Sequence, residues 1–241
     1  MRPICAICGK EIAEADDSDE HIINQAIGGR RTVRSLLHLA CNNGAGRTWD
    51  AELAKQLQPL SLHFGVRRQR GSVPSMPITT TAGEELMLGP NGQLARRAKP
   101  DIKTTPAAGG KKNLFATVGT LSEARRLLEG LRRKNPEIDV EAELAKVEVR
   151  DSYASGAVQL KVGFGGELAG RSLVKSALAL AKETGIPIDE CGVALNYLRK
   201  ADGVPCFGYY FVDDLVAGRP QGTPLHCVAI EANPTTAVVA P

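Results

Sequence analysis

Four potential metal ligands near the N-terminus constrain this chain more than any other feature. Cys5 and Cys8 are separated by two residues, and His38 and Cys41 repeat that spacing about 30 residues later. Two such half-sites can hold one tetrahedral ion, because thiolate and imidazole are the ligands that structural zinc prefers. A redox pair is another interpretation of Cys-x-x-Cys, but redox pairs follow a strand, and none is predicted before Cys5. The spacing therefore predicts a structural Zn²⁺ site, with buried apolar cysteines as the alternative.

The composition is that of a protein with a folded core. Of the 241 residues, 43% are hydrophobic and 24% are charged, which excludes a wholly disordered chain. No apolar run approaches the ~20 residues of a membrane span, and the first residues contain no signal-peptide core. Six cysteines are too few for a disulfide scaffold of this length. We therefore expect a cytoplasmic protein without membrane contact.

The length favours two small domains over one. Residues 1–62 contain every motif that suggests chemistry. Residues 63–112 are rich in Gly, Pro, Thr and basic residues and are expected to form a basic linker, with a possible hairpin at Pro90-Asn91-Gly92, since Asn-Gly favours tight turns. Residues 113–241 are expected to form a separate domain of unknown role.

Hydrophobic periodicity predicts the elements of that last domain. Apolar residues at helical spacing predict helices over 168–183 and 188–199, and alternation predicts a half-buried strand over 158–164. The chain ends on an apolar, strand-like piece, consistent with a shortened version of a longer product. The predicted fold class is α+β, with a zinc-supported N-terminal unit, a linker and a C-terminal α+β domain.

A second group of motifs lies between and after the two half-sites. It comprises Glu20-His21-Ile22-Ile23, Gly28-Gly29, Asn42 directly after Cys41, and Asp50. Together with the two half-sites, these motifs resemble the HNH endonuclease family, the ββα-metal nucleases with paired zinc knuckles. The resemblance covers about residues 3–60, a quarter of the chain.

The resemblance implies hydrolysis of DNA with a divalent cation. His21 would take a proton from water as general base. Glu20 and Asp50 would hold one Mg²⁺ or Mn²⁺ against the scissile phosphate. Asn42 would fix the loop or the His21 ring by hydrogen bonding. The helix of the ββα unit is expected over residues 45–57.

Three positions depart from the family pattern or leave a choice open. His38 stands where such sequences usually have cysteine, a change that zinc accepts. Asn24 stands where proline is frequent. The last catalytic position is commonly His or Asn; Asp50 is the better candidate here and His63 the less well placed one, because a carboxylate suits Mg²⁺. Asp19 is the alternative to Glu20 as a metal ligand.

The charge distribution points to a nucleic-acid partner. Residues 30–70 contain eight basic and two acidic residues, whereas residues 1–29 are acidic, and a basic flank suits phosphate binding. Aromatic residues make up 4% of the chain and do not cluster in the basic segment, so double-stranded DNA is the expected partner rather than a stacked single strand. The predicted nucleic-acid contacts are Arg30, Arg31, Arg34, Arg47, Lys55, Arg67, Arg68 and Arg70.

These observations predict a metal-dependent HNH endonuclease. One alternative is a zinc-dependent module that binds nucleic acid and does not cut it, which Asp50 in place of His or Asn keeps open. Another is a structural interaction protein with an incidental basic flank. DNA binding that is absent or insensitive to salt would favour that last class, because phosphate contacts weaken steeply with salt.

Overall fold

The computed structural model describes residues 2–96, 101–106, 112–200, 203–209, 228–232 and 237–240. The strands are β1 (Glu20–His21), β2 (Thr32–Val33), β3 (Met76–Thr80), β4 (Glu85–Leu88), β5 (Leu94–Arg96), β6 (Asp101–Pro106), β7 (Lys112–Thr117), β8 (Val158–Gln159), β9 (Ala229–Ala232) and β10 (Ala237–Ala240). The helices are α1 (Leu39–Arg47), α2 (Trp49–Gln56), α3 (Gln58–His63), α4 (Leu121–Arg132), α5 (Val140–Leu144), α6 (Glu167–Glu183) and α7 (Gly192–Arg199). The predicted α+β class is confirmed. In this described part, no helix is long and apolar enough to cross a membrane.

The chain divides into two compact units. The core unit consists of Met1–Val73 together with Val162–Pro241, and the inserted unit consists of Pro74–Lys161. This division differs from the domains 1–62, 63–112 and 113–241 expected from the sequence. The physical reason is that the C-terminal helices complete the N-terminal core instead of building a core of their own.

The main hydrophobic core of the core unit draws on both ends of the chain. Its buried N-terminal residues are Cys5, Ala6, Ile12, Ile22, Val33, Leu36 and Leu37, and its buried C-terminal residues are Val174, Leu178, Ala179, Leu195, Tyr197 and Leu198. Full burial of a large apolar side chain stabilises the fold by about 1.5–3 kcal/mol. Neither set alone encloses a core, so the two segments fold as one body.

Helix α6 is the central element of the core unit. It begins directly after Gly165 and Gly166, whose φ angles of 141° and 85° suit glycine. Its Arg171 is buried and donates to the carbonyls of Tyr197 and Lys200 at 2.8 and 2.9 Å. These carbonyls belong to the end of α7, so Arg171 satisfies backbone acceptors that the helix itself leaves open.

The N-terminal segment contains a short strand pair followed by helices. Strand β1 pairs with β2 in antiparallel register, with Glu20 opposite Val33 and His21 opposite Thr32. Between them, Gly29 packs so closely that a Cβ atom would lie 1.5 Å from the carbonyl oxygen of Ile23. Only glycine fits there, which explains the second glycine of the Gly28-Gly29 motif.

The helix expected over residues 45–57 is two helices, α1 and α2. They separate at Thr48, whose φ and ψ of −116° and −77° are not those of a regular helix. Its hydroxyl donates to the carbonyl of Gly44 at 3.0 Å. The first helix begins earlier than expected, at Leu39, so Cys41 and Asn42 lie on it.

The inserted unit contains a four-stranded antiparallel sheet in the order β5-β4-β3-β8 and a separate β6-β7 hairpin. The predicted hairpin is present, with β4 and β5 paired around Pro90–Gly92 and Asn91 at φ 61°. Where the structure describes residues 63–112, they contain strands that pair with one another. They do not form the basic linker expected from the sequence, because β3, β4 and β5 belong to one sheet. The strand expected over 158–164 is limited to β8.

Candidate functional site

The four predicted zinc ligands come together at one point of the core unit. The ligand atoms of Cys5, Cys8, His38 and Cys41 all lie within 4.8 Å of one another. Ligands around a tetrahedral zinc ion at ~2.3 Å lie about 3.7 Å apart, so a small contraction completes the site. A backbone hydrogen bond from Gly9 to the carbonyl of Cys5 closes the first turn at 2.9 Å, with Gly9 at φ 72°.

The hydrogen bonds of the cluster prepare it for a cation. His38 Nε2 donates to the carbonyl of Glu11 at 2.9 Å, which leaves Nδ1, 3.2 Å from Cys8 Sγ, as the ligand atom. The Glu11 carbonyl also raises the pKa of His38 to about 9, so metal binding releases a proton from this ring.

The surroundings of Cys5 and Cys41 shift the pKa values of these two thiols in opposite directions. Burial would raise the pKa of Cys5, but backbone hydrogen bonds from Cys8, His38 and Ile7 lower it to about 7. Burial and the negative charge of Cys5 raise the pKa of Cys41 to about 12. A dication among the sulfurs offsets this repulsion, so the donor set fits Zn²⁺. The Cys/His cluster can hold a metal such as zinc.

His21 lies in a polar cleft of about 850 Å³. Because successive side chains of a strand point to opposite faces, Glu20 is buried at the edge of this cleft and His21 is partly exposed in it. Three arginines, Arg47, Arg68 and Arg70, line the same cleft, and its lining contains no Phe, Tyr or Trp among the described residues. The cleft therefore places one imidazole and three guanidinium groups around the same space.

Gln69 orients the His21 ring. Its amide nitrogen donates to the carbonyl of Arg30 at 3.3 Å, so its Oε1 faces His21 Nε2 at 3.1 Å. Nε2 must then carry the proton, which leaves Nδ1 with a free lone pair. Gln69 escaped the sequence analysis, because a glutamine within a basic run carries no distinguishing spacing.

Asn42 fixes the loop before β1. Its side-chain amide donates to the hydroxyl of Ser18 and to the carbonyl of Asp19, both at 3.3 Å. Of its two expected targets, the loop or the His21 ring, these contacts are to the loop. Asn42 acts on the site by holding the residues that precede Glu20.

Glu20 and Asp50 are brought together, but around a third residue. Lys175 Nζ on α6 pairs with Glu20 Oε1 and lies 3.0 Å from Asp50 Oδ2. Ser172 Oγ, one helical turn earlier, donates to Asp50 Oδ1 at 2.6 Å. The side chains of Glu20 and Lys175 are each 2% exposed and that of Asp50 is 12% exposed. Sequence reasoning missed Lys175 and Ser172, since neither stands at a motif spacing.

The protonation of this cluster follows from its charges. Burial raises the pKa of Glu20 even against the attraction of Lys175. Burial would lower the pKa of Lys175, but the charges of Glu20 and Asp50 outweigh it and raise that pKa. A raised pKa favours the neutral form of Glu20 but the charged form of Lys175. The ionised pair is the better description, because two carboxylates surround one ammonium.

One of three comparisons with known proteins found a match, and it covers the segment that contains the Cys/His cluster. Residues 5–58 match a family model described as HNH endonuclease. The match supports the resemblance of this segment to the HNH endonuclease family. Searches of curated proteins and of solved structures returned no match to the chain.

The HNH segment, residues 5–58, extends from the Cys5–Cys8 turn to the first residue of α3, and it contains all the motif residues of the resemblance. The basic residues predicted as DNA contacts divide into two groups. Arg47, Arg68 and Arg70 line the cleft beside His21.

The other predicted contacts lie elsewhere on the HNH segment and its flank. Arg31 pairs with Glu183 at 2.6 Å, Arg34 lies 3.3 Å from Asp17, and Lys55 lies 3.8 Å from Glu52. Arg30 and Arg67 are exposed and do not line the cleft. His63, the less favoured catalytic candidate, lies exposed at the end of α3 and outside the cleft.

A divalent cation does not fit between Glu20 and Asp50 as they lie in the HNH segment. Both oxygens of Asp50 and one of Glu20 already accept hydrogen bonds from Lys175 or Ser172. At ~4 Å and an effective dielectric constant of ~20, the ammonium cancels about 8 kcal/mol of the attraction that the two carboxylates offer a dication. Three of the four carboxylate oxygens are therefore already bound by the protein itself.

Proposed function

We propose that this chain is an endonuclease that hydrolyses phosphodiester bonds of DNA in the His21 cleft. The observation that carries the proposal is the position of an imidazole, oriented by Gln69, in a cleft lined by Arg47, Arg68 and Arg70. The family match over residues 5–58 supports nuclease chemistry for this segment.

The proposed chemistry needs a base and a source of positive charge. His21 Nδ1 takes a proton from the attacking water, and the water oxygen bonds to phosphorus as the ester bond breaks and the leaving oxygen takes a proton from solvent. The cleft arginines neutralise the charge that develops on the phosphate oxygens. Asn42 keeps the loop before His21 in position.

No step of this scheme passes through Mg²⁺ or Mn²⁺ at Glu20 and Asp50, because Lys175 already pairs with both carboxylates. In the proposal these two carboxylates hold the HNH segment to α6 and so keep β1 in place.

The proposed substrate is duplex DNA. An aromatic platform is the usual means of holding unstacked bases, and the described lining of the cleft contains none. Arginines that contact phosphates bind either strand without reading its sequence.

The test uses zinc-loaded protein, supercoiled plasmid, and buffers without added divalent cation, with Mg²⁺ and with Mn²⁺. We expect nicking by the wild type, a loss of at least ~100-fold in His21→Ala, and no change in His63→Ala. His63 is the matched control, as an exposed histidine outside the cleft. Zinc content is measured for each variant, so that a loss of activity is not a loss of fold.

A second candidate function is binding of nucleic acid without cleavage. The observation that favours it is Lys175 between the two carboxylates that the family resemblance assigns to a catalytic cation. Salt-dependent DNA binding by wild type and His21→Ala, without nicking by either under any divalent cation, would establish this candidate and exclude the endonuclease.

A further inference from the structure

We propose that the ammonium of Lys175 is a built-in replacement for a divalent cation between Glu20 and Asp50, so that these carboxylates form no metal site in the folded protein. The proposal uses the HNH assignment of residues 5–58 but does not depend on DNA cleavage.

The contacts give the ammonium the place of a bridging cation. Lys175 Nζ reaches one oxygen of Glu20 and one of Asp50, and it does so from 155 residues further along the chain than Glu20. Ser172 occupies the other Asp50 oxygen. A cation that bridges two carboxylates would make the same two contacts.

Burial keeps the ammonium in this position. Lys175 is 2% exposed, and its neighbours Val174 and Leu178 on α6 lie in the main hydrophobic core. A lysine withdrawn from the pair would have to leave the core or remain as an uncompensated buried charge, and both are costly. The side chain therefore cannot exchange freely with an ion from solvent.

The charge of Lys175 also weakens the attraction of the cluster for a dication. Glu20 and Asp50 supply two negative charges and Lys175 supplies one positive charge, which leaves a single net negative charge for a doubly charged ion. Glu20 and Asp50 border the cleft, but Lys175 lies behind them and is not part of its lining. An ion entering from the cleft would meet carboxylates that are already paired.

Removal of the lysine makes the inference testable. Lys175→Met keeps an unbranched side chain of similar length and removes the charge, so Glu20 and Asp50 lose their compensation. We expect a lower melting temperature for this variant, and recovery of that temperature on addition of Mn²⁺. Lys175→Met/Glu20→Gln is the matched control and should neither bind Mn²⁺ nor respond to it.

Binding is measured directly on zinc-loaded protein without DNA, by the decrease of the free Mn²⁺ signal in electron paramagnetic resonance. We expect no Mn²⁺ bound by the wild type and one equivalent bound by Lys175→Met, with at least a tenfold difference in affinity. Because no DNA is present, failure of the proposed nuclease activity leaves this result unaffected.

Two outcomes would overturn the inference. The first is stoichiometric Mn²⁺ binding by the wild type that is lost in Glu20→Gln or Asp50→Asn, a comparison that needs no Lys175 variant and so holds even if Lys175→Met does not fold. The second is a folded Lys175→Met variant that binds no Mn²⁺, because the position between the carboxylates would then not be a cation site.

Discussion

Glu20 and His21 are adjacent in the chain, but they serve different parts of the molecule. Glu20 is buried and paired with Lys175 at the edge of the cleft, whereas His21 lies in the cleft beside Gln69. The alternation of a strand explains this separation. The motif Glu-His therefore contributes one residue to the attachment of α6 and one residue to the candidate site of chemistry.

Gln69→Ala should reduce the turnover of the proposed nuclease by about fivefold, since the loss of one neutral hydrogen bond costs about 1 kcal/mol. The KM for DNA should change little, because Gln69 orients His21 and is not a cation. Steady-state nicking rates check this prediction. Gln25→Ala, at another glutamine of the same cleft, should keep the wild-type rate, and an unchanged rate in Gln69→Ala would exclude the orienting role.

Arg68→Ala should weaken DNA binding. Arg68 Nε is buried without a hydrogen-bond partner among the described residues, and burial lowers the pKa of this guanidinium. A phosphate oxygen would satisfy the group. Fluorescence anisotropy of a duplex oligonucleotide at several salt concentrations should give a salt slope smaller by about 1.

The matched control for Arg68 is its neighbour. Arg67 is exposed and does not line the cleft, so Arg67→Ala should retain the salt slope. Equal losses in both variants would indicate diffuse attraction by the basic flank, and a wild-type slope in Arg68→Ala would remove Arg68 from the binding surface.

At the level of residues, the sequence predicted what local spacing encodes. The zinc ligands follow from two Cys-x-x-Cys-like pairs, and the structure brings all four together. Lys175 and Gln69 could not be predicted. Lys175 contacts Glu20 across 155 residues and Gln69 contacts His21 across 48 residues, and neither separation follows a helix or strand period.

Among the elements, the Cys/His cluster of Cys5, Cys8, His38 and Cys41 is tied to the hydrophobic core. Cys5 is fully buried in the main core cluster, and His38 and Cys41 lie at the start of α1. A metal bound there joins the N-terminal turn, α1 and the core. The cluster is thus part of the core and not an appended finger.

Removal of zinc should destabilise the core unit. A chelator should lower the melting temperature, and added Zn²⁺ should restore it. Because the pKa of Cys5 is lowered to about 7, its thiolate favours the folded state above the ordinary thiol pKa of ~9, and that contribution is lost as the pH falls through about 7. Zinc affinity should therefore fall on acidification, as measured with a chromogenic chelator.

Cys41→Ser should retain less than one equivalent of zinc after dialysis. Cys191→Ser is the control, because Cys191 lies outside the ligand set at the start of α7. Loss of zinc from both variants alike would show that the cysteines act through general stability and not as ligands.

The helices of the core unit show which element-level patterns are readable from sequence. Periodicity predicted α6 over 168–183, and the structure has it at Glu167–Glu183. The same pattern could not predict what α6 packs against, because an apolar stripe reports burial and not the partner. The break at Thr48 was also missed, because no Pro interrupts α1 and α2.

On the scale of the whole molecule, the core unit is discontinuous in sequence. Its two segments flank the inserted unit of Pro74–Lys161. The zinc site, the cleft and the HNH segment all lie in the first of these segments, and much of the core that supports them lies in the second.

Deletion experiments test this organisation. A chain without residues 162–241 should not fold its zinc-binding region, since it loses Val174, Leu178 and Leu198 from the core. A chain in which a flexible Gly/Ser linker replaces residues 74–161 should fold and bind one zinc. Circular dichroism and heteronuclear NMR spectra distinguish the two, and a well-folded 1–73 fragment would contradict the shared core.

The long separation between Glu20 and Lys175 determines the order of events during synthesis. The ribosome adds about 5–20 residues per second, so the 155 residues between these partners correspond to roughly 8–30 s of translation at that rate. During this interval the nascent HNH segment carries its acidic pair without the ammonium, and the inserted unit of Pro74–Lys161 is synthesised before Lys175. Maturation of the N-terminal region must therefore wait for the arrival of α6, so the last third of the chain controls when the first third becomes native.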